Sequence, residues 1–201
     1  MNEQLRRPFP ASRQPATTQV ADGYVRRAWT ADDVRRMIEA GIVDPDEPFE
    51  LIGGEIVAKM QKGILHENLK RAINQHWGKI RPDHIAFVPE SPLRLGPHDE
   101  PEPDFFVYSA GTPMETVRGA EVLLVVEISD SSLAIDSTVK LKRYAAQGVR
   151  EYWIIDARTR ETIVLRGPTE TGFTERMQVF GEDRLHPLLV PEFAVRLADL
   201  G

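Results

Sequence analysis

The strongest constraint on the fold is the segment 121–129, in which the five residues 122–126 are all apolar. A continuous apolar run is typical of a strand that is covered on both faces. A predicted helix follows at 136–147, ended by Gly148, and a second apolar strand lies at 151–156. This order of strand, helix and strand indicates a right-handed crossover, and therefore two parallel neighbouring strands in an α/β sheet.

The segments on either side of this unit supply the remaining elements. Thr30 and Asp33 have the spacing of a capping box, at the start of a helix that Gly41 ends. Two β-rich runs, split by Gly53 and Gly54, predict a hairpin. The other predicted elements are a helix at 66–80 and short strands at 85–88, 93–95, 104–108, 162–165 and 174–179.

The chain has 201 residues, 41% hydrophobic and 28% charged, which is ordinary for one globular domain. Residues 1–23 are rich in Pro, Gln, Ser and Thr and predict a disordered lead-in, so that 24–201 form a single domain. No apolar run approaches the roughly 18 residues needed to span a membrane, and no secretory signal is recognisable. The absence of cysteine excludes disulfides and thiolate metal sites, and it fits a cytoplasmic setting.

The net charge of −6 argues mildly against a nucleic-acid partner, because phosphate binding usually leaves a basic footprint. Basic residues do cluster at 70–81 and at 140–143. Each cluster fits either a phosphate-binding surface or the solvated face of a helix. Neither a glycine-rich phosphate loop nor the Gly-x-Ser-x-Gly motif of serine hydrolases is present.

Glu127 is the first candidate site residue, because it directly follows the apolar run 122–126. An ionised carboxylate buried without a partner costs several kcal/mol, so Glu127 needs a cation, a hydrogen-bond network or a position at the solvated end of the strand. Asp104 follows Pro103 at the start of another short strand. If these strands are neighbours, the two carboxylates come together, and a divalent cation with oxygen ligands would relieve their repulsion.

In this pattern the chain resembles the PD-(D/E)xK nuclease superfamily, and within it a bacterial family of restriction endonuclease-like proteins. The most specific matching segment is 125–129, which contains Glu127. The matching pieces, in chain order, are 49–57, His66, Pro103-Asp104, 125–129, Asp136, Lys140, Tyr144 and 148–156. Their order and spacing together, rather than any single motif, carry the resemblance.

The resemblance implies a restriction-endonuclease-like core, in which a central mixed β-sheet is flanked by helices. It also implies a metal-dependent endonuclease that hydrolyses phosphodiester bonds, with DNA as the expected substrate and a homodimer as the expected assembly. Asp104, Glu127 and the carbonyl of Ile128 would then hold Mg²⁺ or Mn²⁺. The alternative is a nuclease-fold protein that binds nucleic acid or a protein partner, or dimerises, without cutting.

The chain departs from the superfamily pattern at Ser129, where a lysine is expected two residues after Glu127. The resemblance implies that Lys140, on the next helix, takes over that catalytic role. Lys140 also fits an ion pair with Asp136 on an exposed helix face, worth only a few tenths of a kcal/mol. Both interpretations are open at the level of sequence.

His66 and Glu50 are supporting candidates. His66 fits a metal ligand, a proton shuttle or a structural residue at the start of a helix. Glu50 fits either a water-mediated contact to a second metal ion or support for the hairpin. Glu67 is expected to complement the helix dipole as an acid in the first turn.

Overall fold

Six strands form the main sheet of the protein, whose computed structural model describes residues 17–19, 25–59, 61–130 and 136–200. The described strands are β1 (Thr17–Gln19), β2 (Val25–Arg27), β3 (Phe49–Ile52), β4 (Glu55–Ala58), β5 (Ile85–Pro89), β6 (Phe105–Ser109), β7 (Val122–Ser129), β8 (Glu151–Asp156), β9 (Thr162–Thr169), β10 (Gly172–Val179), β11 (Arg184–Leu185) and β12 (Val195–Arg196). The described α-helices are α1 (Ala31–Glu39), α2 (Ile64–Ile80) and α3 (Leu141–Ala146).

The main sheet has the strand order β10-β9-β8-β7-β6-β5. Strands β7 and β8 are parallel, with Glu127 opposite Ile154, and the other neighbouring pairs are antiparallel. The parallel pair confirms the crossover that the sequence predicts. The fold is therefore the expected one, a mixed sheet flanked by helices.

Both faces of β7 are covered, which explains its continuous apolar run. Leu124 and Val126 belong to a core cluster that includes Trp77 of α2. Val125 belongs to a second cluster that includes Tyr144 of α3. Because successive side chains of a strand point to opposite faces, each face of β7 is buried against its own helix.

Local signals place the first helix and the hairpin as predicted. Thr30 and Asp33 form the capping box of α1. Gly53 and Gly54 connect β3 to β4 with φ values of 60° and 82°, a backbone region that glycine adopts without steric cost. The hairpin brings Glu50, on β3, towards the main sheet.

Two sequence predictions differ from the structure. Residues 93–95 form no strand, because the chain turns back on itself there: Leu93 N donates to Pro101 O and Leu95 N to Asp99 O. Within the predicted disordered lead-in, Thr17–Gln19 pairs with Val25–Arg27 as a two-stranded sheet. The remainder of that lead-in lies outside the described residues. None of the described helices is both long and apolar enough to span a membrane.

Candidate active site

Asp104 lies directly before β6, and every oxygen of its carboxylate is engaged. Its Oδ2 accepts a hydrogen bond from the backbone N–H of Ile128 at 2.7 Å and lies 2.9 Å from His66 Nε2. Its Oδ1 accepts from Lys62 Nζ at 2.8 Å. Although Asp104 is only 2% exposed, its charge is therefore compensated from two sides.

The surroundings of Asp104 keep it ionised. Burial alone would raise the pKa of Asp104, but His66, and then Lys62, outweigh burial and lower it to about 2. Burial would likewise lower the pKa of Lys62, but Asp104 and Glu90 beside it raise that pKa above its usual value. The pair is thus a carboxylate and an ammonium at neutral pH.

Glu127 is buried as well, with 5% exposure. The alternative that it lies at a solvated end of the strand is therefore wrong. Its Oε1 accepts from Lys140 Nζ at 3.0 Å and from Tyr144 Oη at 2.9 Å. Burial, followed by the charge of Glu127, raises the pKa of Tyr144 well above its usual value, so the phenol stays protonated and donates. Lys140 Nζ also donates to Glu50 Oε1 at 3.1 Å, which links the hairpin to the site.

The strand register puts Asp104 and Glu127 at the same end of the neighbouring strands β6 and β7. Phe105 is opposite Val126 in the antiparallel pair β6 and β7. Extending that register by one residue sets Asp104 opposite Glu127, on the same face of the sheet. Side chains in such opposed positions have Cβ atoms about 5 Å apart.

The backbone of Ile128 lies at the same end of the strand pair. Extending the β6–β7 register by two residues beyond Phe105 would set Pro103 opposite Ile128. Proline has no N–H to donate. Ile128 N donates to the Asp104 side chain. Because the N–H and the C=O of one strand residue point to the same side of the strand, the carbonyl of Ile128 also points towards β6.

The donor set fits a hard divalent cation in its chemistry, since two carboxylates and a backbone carbonyl are the oxygen ligands that Mg²⁺ and Mn²⁺ prefer. Within the described residues, no group of three or more His, Asp or Glu side chains is arranged to hold a metal ion. A cation held at this end of β6 and β7 would thus have at most two such side chains as ligands, Asp104 and Glu127, and would need the carbonyl of Ile128 and water to complete its coordination.

Lys140 approaches this face from the helical side. It ends a π-helical turn, Asp136–Lys140, that leads directly into α3. Lys140 is 8% exposed, so its placement on an exposed helix face is wrong. Ser129 is also buried and lies two residues beyond Glu127, on the same face of β7. The ammonium of Lys140 therefore reaches the face of the strand on which the superfamily lysine is expected.

His66 and Glu50 both support the centre through contacts. His66 is buried, and its two ring nitrogens face Asp104 Oδ2 at 2.9 Å and Glu67 Oε1 at 3.1 Å. With both nitrogens engaged, His66 orients Asp104. Glu50 accepts from Glu102 N at 2.8 Å as well as from Lys140, so it ties the loop before Asp104 to the helix side of the site.

Two residues of the site were missed by sequence reasoning, Lys62 and Glu90. Lys62 lies in the loop just before α2 and has no periodic pattern to mark it. Glu90 follows β5 with a φ of 44°, an uncommon conformation for a residue other than glycine, and no propensity signal predicts it there. One sequence signal could have indicated Lys62. It lies four residues before His66, which is among the residues that carry the family resemblance, and in the segment that leads into α2.

Comparisons with known proteins show the fold and the family of this chain. The structure resembles the crystal structure of a "putative nuclease belonging to DUF820" from Anabaena variabilis, with a TM-score of 0.60 and 18% identity over 85% of this chain and 96% of that one. That similarity shows the fold. No curated protein matches the chain.

A family model, Uma2, described as "Putative restriction endonuclease", matches residues 31–198, which contain all the candidate site residues. The description of this family supports a nuclease function for the chain, with nucleic acid as the class of substrate. Because the match covers most of the chain, the protein belongs to the Uma2 family of restriction endonuclease-like proteins.

Proposed function

We propose that the protein is a metal-dependent endonuclease that hydrolyses phosphodiester bonds in DNA, with Mg²⁺ or Mn²⁺ held by Asp104, Glu127 and the carbonyl of Ile128. The observation that supports this most is that two buried carboxylates, Asp104 and Glu127, lie at the same end of neighbouring strands, where the backbone N–H of Ile128 donates to Asp104. Buried acids in such a position serve no evident packing role.

Both proposed carboxylate ligands are oriented by their neighbours. His66 and the N–H of Ile128 fix the Asp104 carboxylate. Tyr144 and Lys140 fix Glu127, because both donate a hydrogen bond to its Oε1. Such supporting contacts keep ligands in position and typically alter metal affinity by about 10–100-fold when removed.

A divalent cation bound there supplies Lewis-acid stabilisation of the phosphate and a bound water of lowered pKa. The chain itself contributes the ammonium of Lys140, held between Glu127 and Glu50 at the same face. From that position Lys140 orients the attacking water or stabilises the negative charge that develops on the phosphate. The proposal includes a homodimer, which would provide one metal centre for each strand of a DNA duplex. Light scattering, which measures the mass of the protein in solution, tests this assembly.

A second function is favoured by one specific observation. The two carboxylates already carry cationic partners, since Lys62 pairs with Asp104 and Lys140 with Glu127. A site neutralised in this way is stable without a metal ion, as expected for a nuclease-fold protein that binds nucleic acid or a protein partner without cutting it.

Replacing Lys140 with methionine separates cleavage from metal binding. We expect metal-dependent nicking of supercoiled DNA to fall by about 100-fold, because a charge that stabilises the transition state is lost. Binding of Mn²⁺ should remain measurable, because the three metal ligands are intact, although the loss of the Lys140 contact to Glu127 changes the affinity. The two readouts are a gel assay of plasmid nicking and titration calorimetry.

The matched control is Lys142→Met, which removes the same charge from an exposed position two residues along the chain. Its nicking rate should equal that of the wild type. Equal rates for Lys140→Met and Lys142→Met would contradict the catalytic role of Lys140. Metal binding by the wild type, without nicking of supercoiled, linear or branched DNA, would favour the binding function instead.

A further inference from the structure

Five charged side chains and the imidazole of His66 form a closed ring at the edge of the proposed metal site. We call this the charged ring; its members, in order of contact, are Asp104, Lys62, Glu90, Lys70, Glu67 and His66. Asp104 begins and ends it, through Lys62 on Oδ1 at 2.8 Å and His66 on Oδ2 at 2.9 Å. One proposed metal ligand is therefore part of a network that does not include Glu127.

Glu90 holds the two lysines of the ring. Its Oε1 lies 2.6 Å from Lys62 Nζ and 2.7 Å from Lys70 Nζ. Its backbone has a φ of 44°, and its N–H donates to Asp104 O at 3.2 Å. A strained backbone that persists at a fixed position often marks a functional constraint, and here it sets a carboxylate beside the ammonium that neutralises Asp104.

Lys62 and Lys140 differ in their access to a substrate. Lys140 has a side chain that is 10% exposed, and two carboxylates hold its ammonium. The side chain of Lys62 is 24% exposed. Lys62 also lies outside any helix or strand, in the segment 61–63 directly before α2, so its ammonium can move without disturbing an element.

We infer that Lys62 is a second lysine of the centre: its ammonium occupies Asp104 in place of a divalent cation, and metal binding displaces it towards the phosphodiester. The inference rests on the proposed function, because it requires a metal ion at Asp104. An ammonium and a metal ion compete for the same carboxylate, since both need its negative charge. Once displaced, Lys62 remains close to the site through Glu90 and offers a positive charge to the substrate.

Titration calorimetry with Mn²⁺ tests the competition. Lys62→Met should bind Mn²⁺ roughly tenfold more tightly than the wild type, because the competing charge-assisted hydrogen bond is gone. Lys62→Arg keeps a cation at the same place and should stay near the wild type. Lys70→Met is the matched control: it removes the same charge from the same ring, but Lys70 contacts Glu90 and Glu67 rather than Asp104.

Fluorescence anisotropy with a duplex DNA oligonucleotide tests the second role. With Ca²⁺, which takes the same kind of oxygen ligands, Lys62→Met should bind DNA at least about threefold more weakly than the wild type. The slope of log Kd against log salt should fall by about one, as for the loss of one phosphate contact. General damage to the fold would weaken the binding of both Mn²⁺ and DNA. The inferred role of Lys62 instead predicts that Lys62→Met binds the metal more tightly and DNA more weakly.

The outcomes separate this inference from the proposed function. Equal Mn²⁺ affinity in the wild type and Lys62→Met would overturn the inference and leave the proposed function intact. Equal tightening by Lys70→Met would also overturn it, because a general charge effect would then account for the change. Unchanged DNA affinity in Lys62→Met would exclude the phosphate contact. If neither protein binds Mn²⁺, the proposed function and the inference fail together.

Discussion

Replacing Glu127 with glutamine is expected to abolish metal-dependent DNA cleavage, with a fall in rate of at least about 100-fold, because a metal contributes several kcal/mol to the transition state. The affinity for Mn²⁺ should weaken by a similar factor, since losing a charged ligand costs at least as much as losing one of its supporting contacts. Plasmid nicking and calorimetry measure the two effects.

The glutamine variant is chosen because its fold should survive. The amide oxygen can still accept from Tyr144 and Lys140, and Lys140 keeps Glu50 as an ionic partner. Glu121→Gln is the control, because Glu121 is exposed and precedes the opposite end of β7. If Glu127→Gln binds Mn²⁺ as tightly as Glu121→Gln does, Glu127 is not a metal ligand.

The second large effect concerns stability rather than chemistry. Glu151 is fully buried at the start of β8. Its Oε1 accepts from Trp153 Nε1 at 2.8 Å and from Arg166 Nη2 at 2.8 Å, and its Oε2 accepts from Leu188 N at 2.6 Å. One carboxylate thus joins two strands of the main sheet to the chain beyond β11.

We expect Glu151→Ala to lower the free energy of unfolding by about 3–5 kcal/mol, because it leaves the partly buried Arg166 charge and two N–H groups without their acceptor. Urea denaturation followed by circular dichroism measures this change. Glu175→Ala is the control: Glu175 is opposite Arg166 on β10 but is exposed, so its loss should change stability by less than about 0.5 kcal/mol. A similar effect of both variants would contradict the role assigned to Glu151.

The sequence predicted the sheet well because its strongest signal was a physical necessity. A run such as 122–126 has to be buried on both faces, and a helix followed by a second apolar strand leaves few ways to do so. The same reasoning identified Glu127 as an anomaly, since an acid directly after such a run needs a partner. Residues 93–95 were misassigned because Leu93 and Leu95 are buried in a loop that their apolar character alone does not distinguish from a strand.

The partners of the carboxylates were harder to predict. Lys140 was a candidate, but only the π-helical turn before α3 and the burial of its side chain decide which way it points. The sequence did not predict the positions of Lys62 and Glu90, because both positions depend on the path of loops whose residues carry no periodic pattern. Contacts of this kind are set by tertiary packing, which local sequence does not encode.

In the proposed centre, Asp104, Glu127 and the carbonyl of Ile128 together hold one divalent cation. Anomalous diffraction from crystals soaked in Mn²⁺ tests it most directly. We predict a single peak bonded to all three groups at about 2.1 Å, with Lys62 Nζ moved away from Asp104. A saturating soak that leaves no peak at these residues, with Lys62 and Lys140 still paired to the two carboxylates, would contradict it.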